Sequence, residues 1–169
     1  AVSDLHGALP VIPECDVLII AGDVTYNPNI IRQSQYINGP FKRWLARIKL
    51  PAARKLLVAG NHDPVFEPKN RMLIDDNFWN YCTYLEDSFR TVKVGGQSLK
   101  FYGTPWTREY GNTKAFMCDE EDLRRKYSII PEDTDVLITH GPPKFYHDVC
   151  NGEHLGSQSL YMKVSELRP

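Results

Sequence analysis

The stretch Lys55-Leu56-Leu57-Val58-Ala59-Gly60-Asn61-His62-Asp63 decides how the chain is read. Its first half is a short apolar run rich in Leu and Val, the pattern of a strand buried on both faces. Its second half changes character abruptly, to a glycine followed by an amide, an imidazole and a carboxylate. A buried strand that ends this way delivers polar groups to the carboxyl edge of a sheet. In open α/β sheets that edge is where ligands bind.

Three other segments have the same form. Asp4 and His6 follow Ala1-Val2-Ser3, Gly22-Asp23 follows the apolar run 17–21, and His140-Gly141 follows the run 136–139. Four strand ends are therefore predicted to bring oxygen and nitrogen ligands to one crevice. The glycines before Asp23 and Asn61 let the backbone turn sharply and come close.

Spacing assigns work within the set. On an extended segment residues i and i+2 point the same way, so Asp4 and His6 grip one ion while Leu5 faces the core. Asn61 and His62 are neighbours and point apart, which gives them different tasks: Asn61 offers a carbonyl oxygen to a metal, and His62 holds a proton. Asp63 is the candidate to fix the His62 tautomer by a hydrogen bond. Carboxylate, imidazole and amide donors without a thiolate suit manganese, iron or zinc. One carboxylate shared by two ions places them ~4 Å apart, an arrangement that clamps a phosphoryl group during in-line attack by a bridging hydroxide. Asp23, alone and central, is the expected bridge. Taken singly, Asp4 reads equally as a helix cap, Asp23 as a turn residue and His140 as a satisfied core histidine. Their common place at strand ends is what favours a metal site.

Working outward, the segment 98–104 alternates in polarity and reads as a half-buried strand, paired with 91–94 through the turn Gly95-Gly96. Helical spacing is present over 41–48, 119–127 and 157–167, with Pro169 as a stop. Strands alternating with helices indicate an α/β fold, and the hairpin makes its sheets mixed. His147 and His154 read as surface residues, Trp106 as a packing residue, and the charged run Glu120 to Lys126 as a solvated helix face. Lys42, Arg43 and Arg47 are explained by an amphipathic helix.

At 169 residues the chain has the length of about one domain, taken as 1–169, whose core needs no disulfide or structural metal. Lys+Arg 20 against Asp+Glu 21 gives a formal charge of −1, which argues against the strongly basic surface that stable non-specific nucleic-acid binding relies on and leaves room only for a local basic patch. The longest apolar runs hold about five residues where a membrane span needs roughly 20, so no transmembrane helix is expected. Four dispersed cysteines without a Cys-x-x-Cys pair are expected as free thiols in a reducing compartment, the cytoplasm.

Asp4-Leu5-His6, Gly22-Asp23, Gly60-Asn61-His62-Asp63 and His140-Gly141, in this order, resemble the calcineurin-like metallophosphoesterase superfamily, and the match runs along the whole chain. Gly103-Thr104-Pro105-Trp106, Thr139-His140-Gly141-Pro142-Pro143 and the tail 156–169 look like its small, cap-free branch of metallophosphoesterase-domain-containing phosphodiesterases. The resemblance implies a four-layer αββα sandwich with a dinuclear centre at its upper edge. It implies Asp4 and His6 on a first divalent ion, Asp23 bridging, Asn61 and His140 on a second, and His62 as general acid to the leaving alkoxide, with manganese foremost among the metals. The function expected is hydrolysis of small phosphodiesters such as cyclic nucleotides. A nuclease and a nucleotide- or metal-binding regulatory module are the competing readings. The family also carries a Gly-His-x-His loop, which this sequence lacks. Only three residues precede Asp4, fewer than the ~5 to 6 of an average strand. The expectation is therefore an excerpt of a longer protein, incomplete at both ends, with weak metal occupancy as an isolated piece.

Overall fold

The computed structural model describes residues 1–110 and 115–169. A first sheet contains β1 (Leu18–Ala21), β2 (Lys55–Val58) and β3 (Thr83–Tyr84), all parallel and in that order. Val2 lies along the free side of β1: its N–H donates to Ile19 O at 2.9 Å, and Ala21 N–H donates back to Val2 O at 2.8 Å. The link from β1 to β2 is helical, with α1 (Ile30–Tyr36), a π-helical turn over Ile37–Phe41 and α2 (Lys42–Arg47). Pro40 sits in the π turn. Proline has no N–H to give and its ring crowds the preceding turn, so a wider turn accommodates it. α1 was not expected from the sequence, because the residues it buries are polar, Gln33 and Ser34, and leave no apolar stripe.

The second sheet is mixed. β4 (Ser88–Val94) and β5 (Gln97–Thr104) form an antiparallel hairpin that closes with Val94 opposite Gln97. The short parallel pair β6 (Thr107–Arg108) and β7 (Met117–Cys118) leads into α3 (Glu120–Ser128). β8 (Val136–Thr139) then pairs in parallel with β5. A small hairpin of β9 (Val149–Cys150) and β10 (Glu153–His154) precedes α4 (Gln158–Leu167).

The strand period of two sorts these side chains into layers. Leu18, Ile20 and Leu57 pack under the first helices with Ile37, Phe41 and Leu45. The opposite faces, with Ile19, Leu56 and Val58, meet Val92, Phe101 and Ile138 of the second sheet. Tyr102 and Leu137 point outward to Leu123, Tyr127 and Leu160 of α3 and α4. Helix, sheet, sheet, helix: the chain is an α/β four-layer αββα sandwich, its first sheet parallel among the described strands and its second mixed.

Helix ends are tied by side chains. Asp119 and Ser157, taken from the sequence as helical, are the N-caps of α3 and α4 and accept the N–H groups of Asp122 and Leu160. Glu120 is not the solvated residue that the charge run suggested. Its carboxylate accepts Ser157 Oγ at 3.1 Å, the N–H groups of Gln158 and Ser159 at 3.1 Å each, and Ser159 Oγ at 2.9 Å. An anion at the first turn of α4 meets the positive end of that helix. No described helix is long and apolar enough to cross a membrane.

Candidate metal centre

The segment after Val2 keeps running beside the chain that leaves β1. Asp4 N–H donates to Gly22 O at 3.0 Å and His6 N–H to Asp23 O at 2.9 Å. It is not the extended strand expected. Asp4, His6 and Asp23 have φ of 51°, 43° and 53°, in the left-handed region. Residues with a Cβ pay about 1–3 kcal/mol each to stand there and do so where their surroundings hold them. Leu5 between them does face the core, only 7% exposed.

Asp23 occupies the middle of the group and is itself buried. Its Oδ2 stands 3.7 Å from His6 Nε2 and 4.0 Å from His62 Nε2; its Oδ1 stands 3.4 Å from His140 Nε2. Asp4 Oδ1 lies 3.9 Å from His6 Nε2, and the donor atoms of Asp4, His6 and Asp23 are all within 4.8 Å of one another. On the other side, Asn61 Oδ1 is 3.0 Å from His140 Nε2. One carboxylate thus divides the donors into two sets, with one oxygen turned to each.

Main-chain carbonyls set the imidazoles. His6 Nδ1 is 3.2 Å from Thr25 O and His140 Nδ1 is 3.0 Å from Ala21 O. A carbonyl only accepts, so each Nδ1 carries its proton and each Nε2 is turned to the site. Burial pulls the His140 pKa down, but the hydrogen bond and charge of Asp23 outweigh it and push the value up to about 9. Burial likewise raises Asp23, and the hydrogen bond and charge of His140 with the His62 N–H outweigh it and hold the carboxyl below its ordinary value. The same carboxylate that draws a proton onto His140 would be satisfied by a cation, so proton and metal compete for this position.

Two glycines make the approach possible. A Cβ on Gly60 would stand 2.3 Å from Asp23 Oδ1, and one on Gly22, whose φ is +90°, would stand 2.4 Å from His140 Nδ1. Hard oxygen and imidazole donors around a shared carboxylate fit divalent cations.

The residues 61–63 divide as neighbours should. His62 donates its N–H to Asp23 Oδ1 at 2.7 Å, its ring packs edge-on to His6 at 5.1 Å, and its side chain is 32% exposed. The contacts that the structure shows for Asp63 are of another kind from the ring-orienting one expected. Fully buried, it accepts Val24 N–H at 3.1 Å, Thr25 N–H at 2.8 Å and Gly60 N–H at 2.9 Å. It clamps the loop after β1 to the loop after β2. Burial pushes its pKa up to about 6, against the pull of those N–H groups.

Gln33 is a site residue that the sequence did not reveal. Buried in α1, it donates Nε2 to Asn27 O at 2.6 Å and to His62 O at 3.0 Å, and its Oε1 accepts Val65 N–H at 3.1 Å. Thr25 Oγ1 donates to the same His62 carbonyl at 2.6 Å. A cavity of about 600 Å³ opens beside Asn61 and His62. Another, of about 660 Å³, lies between α2 and the segment 9–15 and includes none of these donors. His147 and His154 are exposed, with His154 Nδ1 bonded to Asp148 at 2.8 Å, and Trp106 packs edge-on to Phe116.

The model of the calcineurin-like phosphoesterase family matches residues 1–164. The chain belongs to the calcineurin-like phosphoesterase family. Among its relatives, metallophosphoesterase domain-containing protein 1 of Homo sapiens is 32% identical over 172 residues, covering 87% of this chain and 49% of that protein. A UPF0046 protein of Caenorhabditis elegans is 34% identical over 158 residues, covering 85% and 52%. The probable rhamnogalacturonate lyase C of Emericella nidulans is 33% identical over 174 residues, covering 98% of this chain and 15% of that protein. The chain spans about half, or less, of the length of these relatives. Calcineurin-like phosphoesterases are hydrolases that use divalent metal ions, and the two donor sets around Asp23 are this chain's fit to that chemistry.

Proposed function

We propose that this chain carries a phosphodiesterase centre for small phosphodiesters, cyclic nucleotides among them, with His62 as the general acid. The observation that carries the reading is the division of Asp23, Oδ2 toward His6 and Oδ1 toward His140. Asp4, His6 and Oδ2 would hold one divalent cation; Oδ1, Asn61 and His140 would hold the other. Manganese is the first choice, with iron or zinc as alternatives, because the donors are oxygen and imidazole nitrogen. Such ions supply Lewis acidity toward phosphoryl oxygens and make water a usable nucleophile near neutral pH.

The chain's own residues do the rest. Thr25 O and Ala21 O hold the two ligand imidazoles in one tautomer, and Gly22 and Gly60 let them close on Asp23. His62 stands at the rim, its main chain fixed at both ends by Asp23, Thr25 and Gln33. As water adds to phosphorus and sheds a proton to solvent, the bond to the leaving oxygen breaks, its electron pair stays on that oxygen, and His62 as the acid supplies the proton that this oxygen takes. The formal charge of −1 favours a small substrate over a polyanion, and four free cysteines suit the cytoplasm.

The test is hydrolysis of bis-p-nitrophenyl phosphate by the full-length protein with added manganese. Turnover should depend on the metal and disappear in Asp23→Asn. Equal rates in EDTA and in manganese overturn the proposal.

A further inference from the structure

We infer that the cavity beside Asn61 and His62 is the seat of the leaving group, and that it selects phosphodiesters whose leaving alcohol carries a flat aromatic or heterocyclic ring, with Tyr26 as its platform. The inference rests on the phosphodiesterase reading and names the substrate class for it. His62 lines this cavity together with Asn61, Tyr26 and Asn27. A general acid must come within about 2.6–3.2 Å of the oxygen it protonates, so the group on the His62 side is the one that departs.

The size and lining say what that group is. At about 600 Å³ the cavity lies within the ~300–1,000 Å³ of small-molecule sites and exceeds what a short alkyl chain fills. Its walls are flat and apolar at Tyr26, Pro28, Pro64 and Ala115, while Asn27 and the Lys69–Glu67 pair, 3.3 Å apart, bring polar atoms. A flat apolar body with polar groups at its rim suits a ring with heteroatoms better than a chain. Tyr26 is 65% exposed, an unusual place for a ring that gains so much from burial.

The walls are fixed in advance. Tyr26 follows Thr25, whose N–H is held by Asp63, whose hydroxyl bonds His62 O and whose carbonyl meets His6 Nδ1. A Cβ added at Gly7 would stand 3.5 Å from Tyr26 Cδ1, so the edge of the ring faces that turn across the space the glycine leaves open. Gln33 joins the opposite walls through one buried amide, bonding Asn27 O, His62 O and Val65 N–H. A preformed slot of this kind loses little freedom when a rigid ring enters.

Two measurements on the full-length protein with manganese test this. The first compares phenyl methyl phosphate with hexafluoroisopropyl methyl phosphate, whose leaving alcohols are of similar acidity but differ in shape. Tyr26→Ala should lose roughly tenfold in kcat/KM on the phenyl ester, mostly through KM, with the fluoroalkyl ester unchanged and Tyr26→Phe close to wild type. The second needs no turnover: by calorimetry, phenyl phosphate should bind more tightly than methyl phosphate, and Tyr26→Ala should erase the difference. If the two phosphates bind wild type equally, or Tyr26→Ala lowers both esters alike, the inference falls whatever the rate. Metal-independent hydrolysis of both esters would instead count against the phosphodiesterase reading.

Discussion

Gly60 lies so close to Asp23 that a Cβ built on it would stand 2.3 Å from the Asp23 Oδ1 and 2.4 Å from the Asp23 main-chain nitrogen. The second contact decides the outcome, because rotating a side chain cannot relieve a clash with backbone. Gly60→Ala is therefore expected to cost about 1–3 kcal/mol of stability, as overpacking does. It should also push the Asp23 carboxylate out of its place between the two donor sets. Manganese binding by calorimetry, set beside thermal unfolding in EDTA, checks both; unchanged metal affinity would show that the site yields more easily than the distances imply.

Asp63 gives a sharper contrast between two roles. Its Oδ2 serves Val24 and Gly60 and its Oδ1 serves Thr25, all main-chain donors. In Asp63→Asn the amide nitrogen must face at least one of those N–H groups. Each buried donor left unmade costs about 1–3 kcal/mol, so a loss of about 2–4 kcal/mol is expected. Tm should fall by roughly 5–15 °C for a chain of this size. A normal Tm with a lost kcat would return Asp63 to the ring-orienting role.

Glu120 and Glu121 are adjacent on one charged helix and differ in consequence. Glu120 caps α4, whereas Glu121 is exposed and pairs with Arg124 at 2.9 Å. Glu120→Ala should cost about 1–2 kcal/mol, the scale of a lost helix cap, and Glu121→Ala less than about 0.5 kcal/mol. Denaturant midpoints of the two variants measured side by side decide it.

Asp148 makes the stability of the 143–157 segment depend on acid. Burial raises its carboxyl, but the His154 hydrogen bond and the N–H groups of Phe145 and Gly156 outweigh it and hold the value below normal. A folded value below the unfolded one, about 3.9, means stability fully present above that pH and lost as pH falls through the folded value. The acid limb of the stability curve should therefore flatten in Asp148→Asn. An identical limb in the variant would assign the acid loss to other carboxyls.

The residues gathered around Asp23 and the layers were legible because their signals are local: each candidate ligand directly follows an apolar run, and alternation along those runs sorted the faces. What the sequence hid depends on distant partners. Gln33 looks like any helical glutamine, since its bonds reach 29 and 32 residues along the chain. Asp63 sits next to His62 in sequence, which suggested a neighbour's role, but its carboxylate works on amides 38 and 39 residues away. Glu120 was hidden among like charges, and only the approach of α4 distinguishes it. The left-handed turns at Asp4 and His6 left no trace at all, because neither residue is glycine.

Those turns bear on transplantation. Someone wishing to move this centre to another scaffold would naturally copy the side chains and search for strands that present them. Such a copy would fail, because the aim of Asp4, His6 and Asp23 is set by three left-handed backbone corners and not by rotamers alone. The portable unit is the peptide path itself, from Val2 to Gly7 laid along residues 19–24, with the glycine bend of the neighbouring strand included.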